Sequence, residues 1–269
     1  MTATFAGKTA IVTGAGTGVG RALAEELASQ GAIVYVTAMT LKEAKPVAKN
    51  IAENGGTAYA AKCDVTVDAD LKRVINKAVK EQGQLDLMVN NAGIVFVGEF
   101  FEMNEAQIRK ITDVNYNAVQ IGMLYAYKQM KKQGFGQILN IASMGGLVPT
   151  PTMVSYAGTK FGVVGLTYSL ATEAEAYGVD LRAACMGNIR SELITSGESG
   201  RVESGEILKI LPKVIEPEAA ARTIVKGLTQ NSRLIFTPFY AKLSWYIMRL
   251  SPKMLFKGSQ DIMEKFRRL

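Results

Sequence analysis

Short apolar runs alternate with longer helical patterns along most of this 269-residue chain. The apolar runs predict strands at 8–13, 33–37, 58–62, 85–90, 137–142, 181–185 and 234–237. Apolar strands separated by helices indicate a parallel sheet with helices on both faces. Because crossovers between parallel strands are right-handed, we expect a doubly wound α/β fold of about seven strands. Ligands of such folds bind beyond the carboxyl ends of the strands, so the residues that follow each strand are the candidate site.

The composition changes near residue 238. Residues 1–238 predict a single α/β domain, and residues 239–269 predict a basic amphipathic extension that Pro252 divides into two helices. The net charge is +7, and residues 240–269 carry seven basic and two acidic side chains, hence five of those charges. The rest of the chain lacks the basic excess of a nucleic-acid binder, so no nucleic-acid partner is predicted.

The chain contains no histidine, which excludes a Ser-His-Asp triad and a histidine-bound zinc ion. Acid–base chemistry must use Asp, Glu, Lys, Tyr or Cys, and no metal site is predicted. The two cysteines, Cys63 and Cys185, lie in apolar runs and are predicted to be buried free thiols. The sequence has no run of 18 apolar residues and no signal-peptide pattern, so we expect a cytoplasmic protein.

A glycine-rich turn follows the first predicted strand and opens the first helix. Glycines allow a tight turn and a close approach of backbone N–H groups to a phosphate, which the positive end of the helix also attracts. Its place at the start of an alternating strand–helix pattern predicts dinucleotide binding. The residues of this turn are Gly14, Gly16, Thr17, Gly18, Val19 and Gly20.

Polar or small residues also follow the later strands. Asp64 follows the third strand, where its carboxylate could accept a hydrogen bond from an adenine amino group or cap a loop. Residues 90–93 (Asn-Asn-Ala-Gly) follow the fourth strand, where Asn90 could tie neighbouring strands together. Ser143 and residues 186–187 follow the fifth and sixth strands. Each alone would be an ordinary turn, but the ordered set indicates a functional site.

This ordered set resembles the short-chain dehydrogenase/reductase family over about residues 5 to 237. The family has a Thr-Gly-x-x-x-Gly-x-Gly turn, an Asn-Asn-Ala-Gly segment, a mid-helix Asn, a Ser and a Tyr-x-x-x-Lys pair. These are matched in order by Thr13–Gly20, residues 90–93, Asn115, Ser143, Tyr156 and Lys160. The resemblance implies a Rossmann-like fold, NAD(P)-dependent oxidation or reduction, and a homodimer or homotetramer formed through the helices of 104–132 and 154–177.

By this resemblance the catalytic residues are Asn115, Ser143, Tyr156 and Lys160. Tyr156 exchanges a proton with the substrate oxygen, which Ser143 hydrogen-bonds. Lys160 tunes Tyr156 and holds the nicotinamide ribose, and Asn115 helps to position Lys160 through a water-linked path. The further residues predicted to contact the cofactor are Thr37, Ala38, Met39, Asp64, Val65, Asn91, Ala92, Gly93, Gly187, Ile189 and Ser191.

The spacing of Tyr156 and Lys160 has a physical rationale. A phenol with a pKa near 10 is about three units too weak as a base at neutral pH, which is a deficit of about 4 kcal/mol. A lysine ammonium one helical turn away lies on the same face and favours the phenolate. The alternative interpretation is a half-buried helix tyrosine beside a surface lysine.

The choice between NAD and NADP depends on the end of the second strand. Ala38 stands where an NAD-specific site usually has an acidic residue. Without that carboxylate a 2′-phosphate is not repelled, and Thr37, Thr40 and Lys42 could bind it. The arginine that often marks NADP-binding members of the family is missing. The prediction favours NADP(H) over NAD(H).

Three segments are predicted to wall the substrate crevice: 94–101, 144–154 and 191–213. The first two are strongly apolar, and the third has the Gly- and Ser-rich composition of a mobile lid or of a disordered surface loop. An apolar wall suits a hydrophobic substrate. The residues predicted to line it are Val95, Phe96, Leu147, Met153 and Met186.

The leading hypothesis is an oxidoreductase that interconverts an alcohol and a ketone on a bulky hydrophobic substrate of steroid, terpenoid, fatty or polyketide type. A second is a 3-oxoacyl thioester reductase. A third, of another class, is a catalytically silent nucleotide-sensing protein that docks through its tail. For residues 239–269 we expect an arm packed on its own domain or across a dimer, or a peripheral membrane contact that places basic residues towards anionic lipid.

Overall fold

The computed structural model describes residues 4–269, and within them nine strands alternate with ten α-helices. The strands are β1 (Thr9–Val12), β2 (Ile33–Ala38), β3 (Thr57–Lys62), β4 (Leu87–Asn90), β5 (Phe96–Val97), β6 (Gly136–Ile141), β7 (Val179–Met186), β8 (Glu198–Ser199) and β9 (Leu234–Thr237). The helices are α1 (Gly18–Ser29), α2 (Leu41–Glu53), α3 (Asp68–Gln82), α4 (Glu105–Thr112), α5 (Ala118–Gln133), α6 (Val154–Ala174), α7 (Glu192–Thr195), α8 (Pro217–Gly227), α9 (Phe239–Leu250) and α10 (Pro252–Arg267).

Seven of the strands in this described range form one parallel sheet in the order β3-β2-β1-β4-β6-β7-β9. Strand order therefore reverses between β1 and β4, and Ala10 of β1 lies between Val34 of β2 and Leu87 of β4. The predicted Rossmann-like, doubly wound fold is confirmed. The reversal opens a crevice at the carboxyl ends of β1 and β4, where the glycine-rich turn and the Asn-Asn-Ala-Gly segment follow.

Successive residues of each central strand enter opposite apolar layers because side chains alternate across a sheet. Ala10 and Val12 pack with α1, α2 and α8, whereas Ile11 between them packs with α3, α5 and α6. Met88 of β4 packs in the same layer as Ile11, and its neighbours Leu87 and Val89 pack in the other. Burial on both faces explains why the strands read as continuous apolar runs in the sequence.

A chain of buried polar groups crosses the sheet. Asn90 Nδ2 donates to Asn140 Oδ1 at 2.8 Å, and Asn140 Nδ2 donates to the hydroxyl of Thr167 in α6 at 2.9 Å. Buried amides need such partners, since an unpaired one would cost about 1–3 kcal/mol. The predicted role of Asn90 in tying strands together is confirmed, and the tie continues to the helix that carries Tyr156 and Lys160.

The structure adds three features that the sequence patterns did not predict. The helical segment 104–132 is interrupted by a π-helical turn at Asp113–Asn117, between α4 and α5. The predicted wall and the predicted lid are joined by parallel pairing of β5 with β8. Helix α8 packs on α1 with its buried residues Ala220, Ala221 and Ile224. The two cysteines are buried and free, as predicted.

Pro252 separates the two C-terminal helices, α9 and α10, as predicted. Ala241 of α9 and Phe266 of α10 are both 0% exposed, so each helix has one side packed against the domain. No helix within residues 4–269 combines the length and the apolar character that crossing a bilayer requires.

Candidate active site

The glycine-rich turn packs directly against the segment that follows β4. Gly14 has φ +60°, in the left-handed region, and a Cβ there would lie 2.8 Å from the Cα of Ala92. At Gly20 a Cβ would overlap the carbonyl oxygen of Gly14. Helix α1 begins at Gly18, so its free N–H groups point to the space left by these missing side chains. The turn therefore forms a cradle that any larger residue would fill.

Thr13 and Asn91 fix the two segments to each other. The Thr13 hydroxyl accepts hydrogen bonds from the backbone N–H groups of Asn91 (2.9 Å) and Ala92 (3.1 Å). Asn91 Nδ2 in turn donates to the carbonyl oxygens of Thr13 (2.8 Å) and Gly14 (3.1 Å). These four hydrogen bonds hold the glycine-rich turn against the segment that follows β4.

A cleft of about 570 Å³ runs along the carboxyl ends of the strands, within the usual size range of cofactor and ligand pockets. It brings together most of the site residues that the sequence predicted. Those that line it are Gly14, Gly16, Thr17, Gly18, Val19, Gly20, Ala38, Met39, Asp64, Val65, Asn91, Ala92, Gly93, Val95, Phe96, Tyr156, Lys160, Met186 and Ser191.

Seven predicted site residues do not line the cleft. They are Thr37, Asn115, Ser143, Leu147, Met153, Gly187 and Ile189. Leu147, Met153 and Ile189 are buried in the apolar layers behind the lining, and their predicted contacts with substrate or cofactor stay predictions. The other four are Thr37, Asn115, Ser143 and Gly187, which lie behind the residues that line the cleft or contact other parts of the chain.

The predicted contact of Thr37 with a 2′-phosphate is wrong. Thr37 is 0% exposed, and its hydroxyl donates to the carbonyl oxygen of Val12 inside the sheet at 3.1 Å. The backbone N–H and the hydroxyl of Thr40 both donate to one carboxylate oxygen of Glu43, each at 3.0 Å. Glu43 itself lines the cleft beside Gly16. A carboxylate therefore occupies both donors of Thr40, one of the residues predicted to bind the phosphate.

Asp64 caps its loop, which is one of the two roles left open by the sequence. Its Oδ1 accepts from the backbone N–H of Thr66 at 3.0 Å and from the Thr66 hydroxyl at 2.7 Å. Asp64 also lines the cleft, and its predicted contact with an adenine stays a prediction.

Tyr156 and Lys160 lie on one face of α6 and are 8% and 3% exposed. The Lys160 ammonium lies 5.4 Å from the centre of the Tyr156 ring and donates to the carbonyl oxygen of Ile141 at 2.7 Å. Burial lowers the pKa of Lys160 to about 8. Burial also raises the pKa of Tyr156, and the neighbouring Ser143 hydroxyl offsets part of that rise. The buried phenol is therefore neutral at pH 7 while the lysine still carries its proton.

Asn115 lies in the π-helical turn, fully buried, and braces the loop that follows β4. Its Oδ1 accepts from the N–H of Ile94 and its Nδ2 donates to the carbonyl oxygen of Ile94, both at 2.8 Å. A Cβ placed on Gly93 would lie 3.4 Å from that Oδ1 and 3.8 Å from Lys160 Nζ, so the three residues share one small space. Single π-turns inside α-helices are frequent at functional sites, and this one directs Asn115 inward.

Ser143 follows β6 and lies next to both Tyr156 and the turn after β7. Its hydroxyl accepts from the N–H of Gly145 at 3.0 Å and lies 3.5 Å from the carbonyl oxygen of Met186. The structure thus brings the predicted catalytic set together, with Tyr156 and Lys160 on the cleft surface and Asn115 and Ser143 supporting them.

Tyr240 of α9 is a site residue that the sequence did not reveal. Its hydroxyl accepts from the N–H of Asn188 at 2.7 Å, and a Cβ on Gly187 would overlap that hydroxyl. The C-terminal helix therefore holds the turn after β7. No local sequence signal could have identified a contact that spans more than fifty residues.

The substrate side of the cleft ends in an apolar cluster that includes the C-terminal helix. Val95, Met153, Tyr156 and the fully buried Phe266 pack in this cluster, together with Val202 of the predicted lid. Arg267, next to Phe266, forms an ion pair with Glu99 at 2.7 Å, and this ion pair lowers the pKa of Glu99. Phe266 and Arg267 therefore fasten α10 to the wall segment 94–101.

Glu198 of β8 joins the predicted lid to α4 at the mouth of the cleft. Its carboxylate accepts from Lys110 Nζ at 2.7 Å and from Gln107 Nε2 at 3.0 Å, and all three residues line the cleft. These hydrogen bonds lower the pKa of Glu198. The segment 191–213 is thus docked in this conformation, so the sequence interpretation as a disordered loop does not apply to it.

The site has no metal-binding character in residues 4–269, where no group of His, Cys, Asp and Glu side chains is placed to hold an ion. Its chemistry is that of a buried phenol, an ammonium and an amide, beside a cradle for an anionic ligand.

Comparison with known proteins places this geometry among dehydrogenases. A family model described as short chain dehydrogenase matches residues 8–201. The chain is 34% identical over 240 residues to a cyclohexanol dehydrogenase of an Acinetobacter species, covering 87% of this chain and 93% of that protein. It is 36% identical over 187 residues to a 3-oxoacyl-[acyl-carrier-protein] reductase of Staphylococcus aureus, covering 69% and 76%.

The fold is also shared with a short chain dehydrogenase/reductase from Burkholderia phymatum solved in complex with NAD. The two chains superpose with a TM-score of 0.84 at 22% identity, covering 93% of this chain and 95% of the other. This likeness supports the fold assignment made from the sheet topology.

The depressed pKa of Lys160 predicts how stability depends on pH. The folded pKa of about 8 lies below the ordinary 10.5, so between these values the unfolded chain binds more protons and stability rises with pH. Relative to Lys160→Met, the wild-type protein should gain about 2–3 kcal/mol of unfolding free energy from pH 8 to 10.5. Urea denaturation of the ligand-free proteins measures this.

The matched control is Lys72→Met, which removes an exposed lysine of α3. It should leave the pH dependence of the wild-type protein intact. A pH dependence of Lys160→Met identical to that of wild type would show that Lys160 is not buried as a cation.

Proposed function

The chain belongs to the short chain dehydrogenase family and is therefore an NAD(P)-dependent oxidoreductase of alcohols and carbonyls, and on this basis we propose that it interconverts an alcohol and a ketone on a bulky apolar substrate. One observation carries the proposal: the buried pair Tyr156 and Lys160 faces a cleft whose one end is a glycine cradle and whose other end is apolar. The first end suits a dinucleotide and the second suits the substrate.

The residues present fit a nicotinamide dinucleotide. The cradle of Gly14, Gly18 and Gly20 at the start of α1 offers N–H groups to a pyrophosphate. Lys160 and the Ala92–Gly93 backbone would hold a ribose, and Ser191 adds a hydroxyl beside Gly18 of the cradle. When bound, the cofactor supplies the acceptor or donor of the hydride.

The protein's own contribution is to move one proton at the Tyr156 oxygen. In the reducing direction Tyr156 donates its proton to the substrate oxygen, and the burial that keeps it a neutral phenol provides that proton at pH 7. In the oxidising direction Tyr156 must act as the base, and the charge of Lys160 on the same helical face favours the phenolate. Ser143 donates to the same substrate oxygen and orients it, from its place beside Tyr156.

Asn115 acts as a positioning residue in this proposal. It is fully buried, is held by Ile94 on both of its amide atoms, and shares the space beside Gly93 with Lys160. A side chain fixed in this way keeps the Lys160 ammonium at one place without adding a second charge.

An apolar substrate is supported by the lining beyond Tyr156. Val95, Phe96, Ile111 and Leu193 line the cleft there, and Met186 lines it beside the nicotinamide end. The Acinetobacter relative is a cyclohexanol dehydrogenase, whose substrate is an apolar ring alcohol. Burial of apolar substrate surface at about 25 cal/mol per Å² would supply the binding energy.

Reduction of a 3-oxoacyl thioester is the second candidate, favoured by the Staphylococcus relative. The exposed basic residues of the tail could attract an acidic carrier, but they are interleaved with apolar side chains. Comparing turnover of a 3-oxoacyl thioester with that of free apolar ketones separates the two candidates. A nucleotide-sensing protein would bind the cofactor and turn over neither.

The choice of cofactor is proposed to depend on Glu43. The sequence favoured NADP because Ala38 removes the usual carboxylate, but Glu43 supplies one at the same end of the cleft and occupies both donors of Thr40. A 2′-phosphate would have to displace it against like charge, whereas ribose hydroxyls could donate to it. This replaces the sequence-based preference: the expected cofactor is NAD(H).

Assembly follows the family expectation of a homodimer or homotetramer. Exposed apolar side chains on α5 and α6, namely Leu124, Val154, Phe161 and Tyr168, support the proposal that these helices form the interface.

Replacing Tyr156 with phenylalanine tests the proposed chemistry. Tyr156→Phe keeps the ring and removes the proton donor, so turnover of an apolar ketone should fall about 10³-fold while the dissociation constant of NADH stays within about threefold. Steady-state kinetics and fluorescence titration with NADH measure the two. Tyr168→Phe, in the same helix but 41% exposed, is the control and should keep full activity. Full activity of Tyr156→Phe would refute the mechanism.

Replacing Glu43 with glutamine tests the cofactor proposal. Glu43→Gln should raise the affinity for NADPH about tenfold, because the charge that repels the 2′-phosphate is lost. It should change the affinity for NADH by less than about threefold, because the amide oxygen of glutamine still accepts from the ribose hydroxyls. Glu53→Gln removes an exposed carboxylate from the other end of α2 and should change neither affinity. A wild-type protein that prefers NADPH, with Glu43→Gln unchanged, would contradict the proposal but leave the enzyme assignment intact.

Breaking the ion pair between Arg267 and Glu99 tests the role of α10 at the substrate site. Arg267→Gln should loosen α10 from the wall segment and raise the KM for a bulky apolar ketone about threefold to tenfold, with no change in NADH affinity. Arg268→Gln alters the adjacent exposed arginine and serves as the control. Equal KM values in both variants would show that α10 has no part in substrate binding.

A further inference from the structure

Helix α9 exposes a continuous apolar face. The face is formed by Phe239, Leu243, Tyr246 and Leu250, which are 78%, 51%, 45% and 84% exposed. Their spacing of four, three and four residues puts them on one side of the helix. We call this surface the α9 face. It cannot be explained by the packing of α9 on its own domain, because the buried residue of the helix, Ala241, lies on the opposite side.

Other contacts hold α9 so that this face stays outward. Trp245 packs against Phe236 of β9 with ring centres 5.5 Å apart, and the Tyr240 hydroxyl holds the turn after β7. The start of α10 extends the apolar surface with Met254 (62% exposed) and Phe256 (54% exposed). Six large apolar side chains in a stretch of eighteen residues are therefore presented to the surroundings on an anchored element.

Basic residues accompany this surface. Lys242 and Arg249 directly precede Leu243 and Leu250, while Lys253 and Lys257 lie beside Met254 and Phe256, and all four are exposed. The Arg249 guanidinium is held 4.7 Å from the ring centre of Trp245. Apolar and aromatic side chains flanked by cations are the composition of helices that lie in the headgroup region of a bilayer.

We propose that the α9 face docks the protein on the surface of a bilayer that contains anionic lipid. Charge complementarity favours this occupant, since residues 240–269 carry five of the seven net positive charges. A second copy of the chain fits less well, because a two-fold contact would set the same cations of both copies around one interface. The contact is peripheral and is independent of the proposed substrate, although a bilayer is also where apolar alcohols and ketones accumulate.

Sedimentation of the full-length protein with vesicles tests the proposal. The wild-type protein should bind vesicles of phosphatidylcholine mixed with phosphatidylglycerol, bind vesicles of phosphatidylcholine alone much more weakly, and be released by salt. The double variant Leu243→Ser, Leu250→Ser should lower the partition coefficient about tenfold, because it removes the apolar contact and keeps every charge. The double variant Lys253→Gln, Lys257→Gln should lower binding only to the anionic vesicles.

Phe135→Ser is the matched control, since Phe135 is an exposed apolar residue (40%) between α5 and β6, outside the C-terminal helices and the proposed subunit interface. It should bind vesicles like the wild-type protein. Ultracentrifugation without vesicles gives the competing result: if the leucine variants of α9 halve the mass of an assembly and vesicle binding is absent, the face joins two copies and the proposal is wrong. Cofactor titration of each variant checks that the domain is folded, and its outcome is separate from that of the proposed reaction.

Discussion

The buried ammonium of Lys160 is the constraint on which the site depends. Removing such a group from water costs several kcal/mol, and the cost appears as the lowered pKa of this side chain. Its contact with the carbonyl oxygen of Ile141 is available because α6 is packed tightly on β6 and β7 through Val163, Val164 and Ala171. The apolar layer therefore stabilises a helix that carries an unfavourable charge, and the protein uses part of its core to hold a reactive group.

The same burial raises the pKa of Tyr156, whereas it lowers the pKa of Lys160. Burial favours the neutral form of both side chains. In the ligand-free site Tyr156 therefore keeps its proton, and Lys160 releases its proton more readily than an exposed lysine does. The phenolate becomes favourable only when more positive charge is near, which an oxidised nicotinamide would supply when bound. Tyr156 would therefore act as a base only when the oxidised cofactor is bound beside it.

The sequence predicted what depends on local geometry. The glycines between β1 and α1 and the pair Tyr156 and Lys160 act through backbone conformation and one helical turn, and both are visible as short motifs. The sequence-based prediction was wrong, or made no statement, where the residues that contact each other are far apart in the chain. Thr37 lies in a strand that ends at the cleft. Its hydroxyl nevertheless donates to the carbonyl oxygen of Val12 in the neighbouring strand, a contact that the sequence does not show. Tyr240 and Phe266 reach the site from the C-terminal helices, and no periodicity assigns them a partner.

The C-terminal helices show why a periodic pattern alone cannot settle the role of such a segment. Helix α9 buries Ala241 against the domain and exposes Phe239 and Leu250. Helix α10 buries Phe266 and exposes Met254 and Phe256. A helix needs only one apolar side to pack on its own domain, and leaving a second side in water forgoes about 25 cal/mol per Å² of apolar surface. The inner sides hold the turn after β7 through Tyr240 and the substrate wall through Phe266. The outer sides have no such partner within the described chain, and this is why we propose a contact outside it.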